Sequence, residues 1–94
     1  MSVSVRIPTI LRTYTGGAAE VSADTKDDAT LADVLAVLEA DYPGIRARVL
    51  DDSGALRRFV NVYVGDEDVR FADGLATLTP PGSSVSVIPA VAGG

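Results

Sequence analysis

The chain has 94 residues, 47% hydrophobic and 22% charged, a balance that suits one globular domain with a modest core and argues against disorder. A net charge of −5 argues against a nucleic-acid partner, which needs a basic face to neutralise phosphates, and favours basic protein partners. Cysteine and histidine are both absent; disulfides, thiol chemistry and the commonest general base and nitrogen ligand go with them.

The opening "MSVSVRIPTI" alternates too regularly for a signal peptide, and no apolar stretch approaches the ~20 residues of a membrane span. The expected location is the cytoplasm, with no membrane partner. Val3, Val5 and Ile7 alternate with Ser2, Ser4 and Arg6, the period of a half-buried strand. Pro8 lacks a ladder donor, so the strand is at an edge or irregular beyond it. Gly16-Gly17 predicts a hairpin turn, with a second strand over residues 18–23.

The clearest helix follows. Thr30 is a good N-cap, Asp33 imitates the acid of a capping box, and Leu31, Val34, Leu35 and Leu38 form one apolar stripe. Pro43-Gly44 ends it. Residues 45–50 predict one more short turn, carrying Arg46 and Arg48 outward, before a loop at Asp51, Asp52, Ser53 and Gly54.

Val60, Val62 and Val64 alternate with Phe59, Asn61 and Tyr63 to give a two-faced strand; which face is buried stays open. Gly65 to Asp68 predicts a polar turn and Val69 to Phe71 a short returning strand. Adjacent acids at Asp66, Glu67 and Asp68 lack the spacing of a calcium loop, so no metal is expected. Pro80-Pro81-Gly82 turns the chain into a last strand holding Val85 and Val87, which Pro89 stops. Strand, strand, helix, strand, short strand, strand is an α+β layout, one helix on one face of a mixed sheet, and it suits a single-domain β-grasp over residues 1–94. The helix stripe is expected to cover Val3, Val5, Ile7, Val62, Val85 and Val87.

The tail, 90–94, has no charged side chain and finishes on Gly93-Gly94. Without Cβ atoms, such a tail threads channels too narrow for other residues. A terminal carboxylate is anionic at neutral pH and a poor electrophile. A partner that converts it to an acyl-adenylate supplies a leaving group, and a sulfur donor then leaves a thiocarboxylate. No side chain of the chain need take part, which accounts for the missing Cys and His.

Over essentially the whole length, "RFVNVYVGDEDVRF", "GLAT" and "VIPAVAGG" together resemble the ubiquitin-like sulfur carriers of bacteria. That family includes the thiamin-pathway carriers, the molybdopterin synthase small subunits and the cysteine-biosynthesis carriers, the last being the nearest match. Molybdopterin subunits often carry two prolines where this chain has Pro89-Ala90, and thiamin carriers usually lack a loop like residues 51–56.

The resemblance implies that Gly94 is the reactive group, adenylated with ATP by a ubiquitin-activating-type enzyme and then thiocarboxylated through a donor such as a rhodanese domain. The sulfur acceptor would be a pyridoxal-phosphate cysteine synthase, followed by a zinc metalloprotease that releases cysteine, or a secondary-metabolite synthase that incorporates sulfur. ATP and pyridoxal phosphate belong to those partners, and the chain itself, a monomer when free, binds no cofactor. Partners of the family grip the sheet face away from the helix. Candidates here are Phe59, Asn61, Tyr63 and Ile88, with Pro89, Ala90, Val91 and Ala92 along the arm and Val91 docking in a partner groove. Ordinary core is the other account of Phe59 and Tyr63. Arg57 and Arg58 are candidates to meet acidic partner residues, a solvated face being the plainer account. A protein modifier forming isopeptide bonds through Gly94, a molybdopterin or thiamin carrier, and a plain β-grasp interaction domain remain alternatives.

Overall fold

The alternation at the start of the chain builds β1, Ser2–Arg6, with Val3 and Val5 wholly buried. The computed structural model describes residues 2–89, so the tail proposed from the sequence, 90–94, lies outside the described residues. β1 pairs antiparallel with β2, Glu20–Asp24, from Ser2 opposite Asp24 to Arg6 opposite Glu20.

The connection between them is longer than the expected hairpin turn. Pro8 has no N–H to continue the ladder, and Thr9–Thr15 coil into a 3₁₀ segment that buries Leu11. Gly16 and Gly17 then reverse the chain at φ +66° and +93°, values that glycine adopts without a steric penalty. The second strand therefore starts at Glu20 rather than Ala18.

The helix forms where its signals lie. In α1, Leu31–Asp41, the Asp33 N–H donates to Thr30 Oγ1 at 3.4 Å and the Thr30 N–H donates to Asp33 Oδ2 at 2.9 Å, satisfying two otherwise orphaned donors. Leu31, Val34, Leu35 and Leu38 are all buried, each contributing about 1.5–3 kcal/mol by leaving water. From the last turn of α1, the Glu39 carboxylate reaches forward to accept the Gly44 and Arg46 N–H groups, both at 3.0 Å. This leads into α2, Arg46–Val49, with Arg46 and Arg48 exposed as expected. At Gly44, φ is +99° and the Tyr14 ring lies 3.0 Å from where a Cβ would stand.

β3, Val60–Val64, turns at Gly65 into β4, Glu67–Asp68, so that Val64 faces Glu67 and Tyr63 faces Asp68. The returning strand thus occupies two acids read as turn from the sequence, and Val69–Phe71, expected as strand, is a 3₁₀ turn. The Asp68 carboxylate accepts the Arg70 N–H at 2.9 Å, capping that turn against extended continuation, and Val69 is buried beneath it. β5, Ser84–Pro89, ends the described chain, and its register reaches Pro89, opposite Val60.

The sheet order is β2-β1-β5-β3-β4. β5 runs parallel to β1 and antiparallel to β3. The expected set Val3, Val5, Ile7, Val62, Val85 and Val87 is buried with the α1 stripe in one core. Val60 and Val62 face that core, while Asn61 and Tyr63 are half-buried on the other side. One helix against one face of a mixed five-stranded sheet is the β-grasp fold.

Candidate functional site

Five residues of the sequence-derived site, Ala90, Val91, Ala92, Gly93 and Gly94, lie outside the described residues. Their root is described. Pro89 closes β5 in the middle of the sheet, where Ile88 pairs with Asn61 and Ser86 pairs with Tyr63 on one side and with Arg6 on the other. Strict alternation sets Val85 and Val87 into the core and leaves Ser86 and Ile88 on the helix-free face, Ile88 being 47% exposed. Ile88, Asn61 and Tyr63 are therefore neighbours on one face, as the sequence suggested.

Phe59 is not grouped with them by a strand. It stands in the turn before β3, 52% exposed, and lines a cleft with Asp51, Arg57 and Arg58. Core packing does not account for it. Arg57 is held by its backbone surroundings, its Nε donating to the Ala47 carbonyl at 2.9 Å, and Arg58 is exposed.

Arg70 is a residue that the sequence reading passed over. Its Nη1 donates to Asn61 Oδ1 at 2.7 Å and its Nη2 to the Arg57 carbonyl at 2.6 Å. Nine positions separate it from Asn61, and no periodicity marks the pair. Only the β3–β4 reversal, which sends the following turn back beside β3, brings them together.

Two clefts flank Pro89, both open to solvent. One, of about 420 Å³, is bordered by Arg6, Arg12, Ile10 and Ile88. The other, of about 290 Å³, is bordered by Tyr14, Arg48, Val60 and again Ile10. Ile10 is 68% exposed, an uncovered apolar side chain on the 3₁₀ segment that follows Pro8. No alternation in the sequence marks Ile10, because the coil of the segment is what turns it outward.

The shifted carboxylates belong to the scaffold and border neither of these clefts. The Thr30 N–H holds Asp33 below the usual range. The N–H groups of Gly44, first, and Arg46 do the same for Glu39, and the Ser53 side chain, first, and Ala55 N–H for Asp51. Among the described residues, no group of three or more Asp or Glu stands where it would hold a metal ion. No helix among them is long and apolar enough to cross a membrane.

Residues 5–94 match the ThiS family. The chain belongs to this family. It is 56% identical over 96 residues to the sulfur carrier protein CysO of Mycobacterium tuberculosis, covering 100% of both chains. The crystal structure of that CysO superposes with a TM-score of 0.87 over 95% of this chain and 99% of the other. CysO in the crystal structure of the Amycolatopsis orientalis BexX/CysO complex is 47% identical, with a TM-score of 0.89 over 98% of this chain and 99% of that one. The small archaeal modifier protein 3 of Haloferax volcanii is 47% identical over 68 residues, 72% of this chain and 73% of the relative. The ThiS match extends through Gly94.

Proposed function

We propose that this chain is a sulfur carrier, a co-substrate of partner enzymes rather than a catalyst, whose reactive group is the Gly94 carboxylate. The observation that carries the reading is its likeness, over the full length of both chains, to the sulfur carrier protein CysO. In the first step a carboxylate oxygen of Gly94 attacks the α-phosphorus of ATP on an activating enzyme, and pyrophosphate leaves. Hydrosulfide, or a donor delivering its equivalent, then adds to the acyl carbon; the C–O bond to AMP breaks, and a thiocarboxylate remains. The carrier supplies the arm and its placement, the partner supplies the charge stabilisation, and neither step needs a side chain of this chain.

Cysteine assembly is the acceptor chemistry that this reading favours, because the chain resembles the cysteine-biosynthesis carriers and is 56% identical to a CysO over the full length of both chains. A pyridoxal-phosphate cysteine synthase then takes the sulfur and a zinc metalloprotease releases the product, both cofactors staying with the partners. The BexX/CysO complex supports a heteromeric partner for such a carrier. Intact mass spectrometry tests the reading: incubation with an activating enzyme, ATP and sulfide replaces one oxygen by sulfur. An unchanged mass under conditions that charge an authentic CysO would overturn it.

The 47% identity to an archaeal modifier protein favours a second reading, conjugation of Gly94 to lysines of other proteins. Tryptic peptides bearing a remnant of this tail on lysine are its signature, and their absence from sulfur-replete cells counts against it.

A further inference from the structure

The two clefts at Pro89 have a common chemistry. Each has arginine at its border, Arg6 and Arg12 on one and Arg48 on the other, and among the described residues no carboxylate lines either. Two of these guanidinium groups are oriented by neutral acceptors. Arg12 Nε donates to the Ile7 carbonyl at 3.1 Å. Arg48 Nε donates to the Tyr14 hydroxyl at 2.7 Å, with its guanidinium carbon 5.9 Å from the ring centroid. Such bonds fix where the group points and leave its charge uncancelled. Arg6 differs, since Glu20 stands opposite it across the β1–β2 pair. The exposed Ile10 borders both clefts, with Ile88 beside it in the larger.

An apolar centre edged by pre-oriented arginines is the make-up of a protein-docking patch. Its sign is opposite to that of the chain as a whole, which carries −5. An acidic partner is therefore repelled by most of the surface and attracted here, which selects one approach direction. Reach makes the encounter unavoidable. Five residues separate Pro89 from the end of Gly94, and five residues span at most about 17 Å. An enzyme that acts on Gly94 must bring its entrance to within that distance of these clefts.

Resting on the carrier reading above, we propose that Arg12 and Arg48, with Ile10 shared between their clefts, form a docking collar for an acidic, partly apolar rim at the entrance of the adenylating partner. The net charge pointed to basic partners; the local arrangement at the tail's root selects an acidic one.

The test is the initial rate of pyrophosphate release by the activating enzyme with ATP as carrier concentration is varied. The double variant Arg12→Gln/Arg48→Gln is expected to raise KM about five- to tenfold, the sum of two partly exposed charge pairs, with kcat unchanged. Raising the salt concentration should raise KM for the unaltered chain and much less for the double variant. Arg48→Lys keeps the charge and should recover most of the single-site loss, whereas Lys26→Gln, remote from both clefts, should change nothing. Thermal melts of each variant confirm that the fold is kept. Release with an unchanged KM in the folded double variant, or a raised KM with undiminished salt dependence, overturns the collar and leaves the carrier reading standing. No release from the unaltered chain overturns both.

Discussion

Arg70 reaches across to β3 and donates to Asn61 Oδ1 at 2.7 Å. Because a guanidinium only donates, this bond settles which end of the amide faces Arg70, and it leaves the Asn61 NH₂ as a donor on the helix-free face. With its second bond, to the Arg57 carbonyl at 2.6 Å, Arg70 fastens the turn after β4 to the entry of β3. Arg70→Met should cost roughly 1–2 kcal/mol for two exposed but charge-assisted bonds, seen as a drop of about 4–16 °C in Tm for a domain of this size. An unchanged Tm would mean that water replaces both bonds at no cost.

A buried residue of α1 and an exposed residue of the turn before β3 give a paired prediction. Leu35 is 1% exposed in the core that Val62 shares, whereas Phe59 is 52% exposed. Leu35→Ala should lose about 2–5 kcal/mol, and Phe59→Ala no more than about 0.5–1 kcal/mol, within the range of surface changes. Urea unfolding of the two variants reads the difference directly. A costly Phe59→Ala would place that ring in the core after all.

Acid should weaken the fold through the three carboxylates held by hydrogen bonds. Asp33, Glu39 and Asp51 have folded-state pKa values below their ordinary ones, so the unfolded chain binds protons first as pH falls. Their stabilisation is complete above the ordinary carboxylate range and is lost as pH drops below about 4.5 and through the lowered values. Glu39→Gln should flatten that acid limb in melts run between neutral pH and pH 3, since its amide does not titrate, although its single acceptor oxygen replaces only part of the carboxylate's two-oxygen hold on the Gly44 and Arg46 N–H groups. An acid limb of unaltered slope would remove Glu39 from the account.

Removing Gly93 and Gly94 should abolish charging while leaving stability almost untouched. Among the described residues, the core closes at Val87, so the expected change in Tm is no more than about 4 °C, the equivalent of a surface change of ~0.5 kcal/mol. Addition of residues after Gly94 should block charging equally. A melt lowered by 10 °C or more would show that the arm serves the fold.

Much of this molecule was legible because it is local. Thr30 and Asp33 lie three residues apart, the α1 stripe repeats with the helix, and each strand's valines alternate; such signals survive in sequence because neighbours in the chain are neighbours in space. The buried face of β3 was not legible, since Phe59, Asn61 and Tyr63 are as strand-like as the valines between them. The 3₁₀ segment at Thr9–Thr15 was missed for a different reason: a short coil in which only Leu11 and Thr15 are buried shows no sustained period. At the candidate site, Ile88 and Asn61 followed from alternation. Arg12, Arg48 and Arg70 did not, because their partners are backbone carbonyls, a phenol and an amide brought close by tertiary folding, and none of these marks its partner in the chain.

The position of β5 has a mechanical consequence. It is a central strand, laddered to β1 on one side and to β3 on the other, and it runs straight to Pro89. Tension applied beyond Pro89 acts along the strand axis, so both ladders are loaded in shear and their bonds must yield together rather than one after another. An edge strand pulled the same way would have only one ladder to resist. A pull on that end is therefore shared between β1 and β3 through the two ladders of β5.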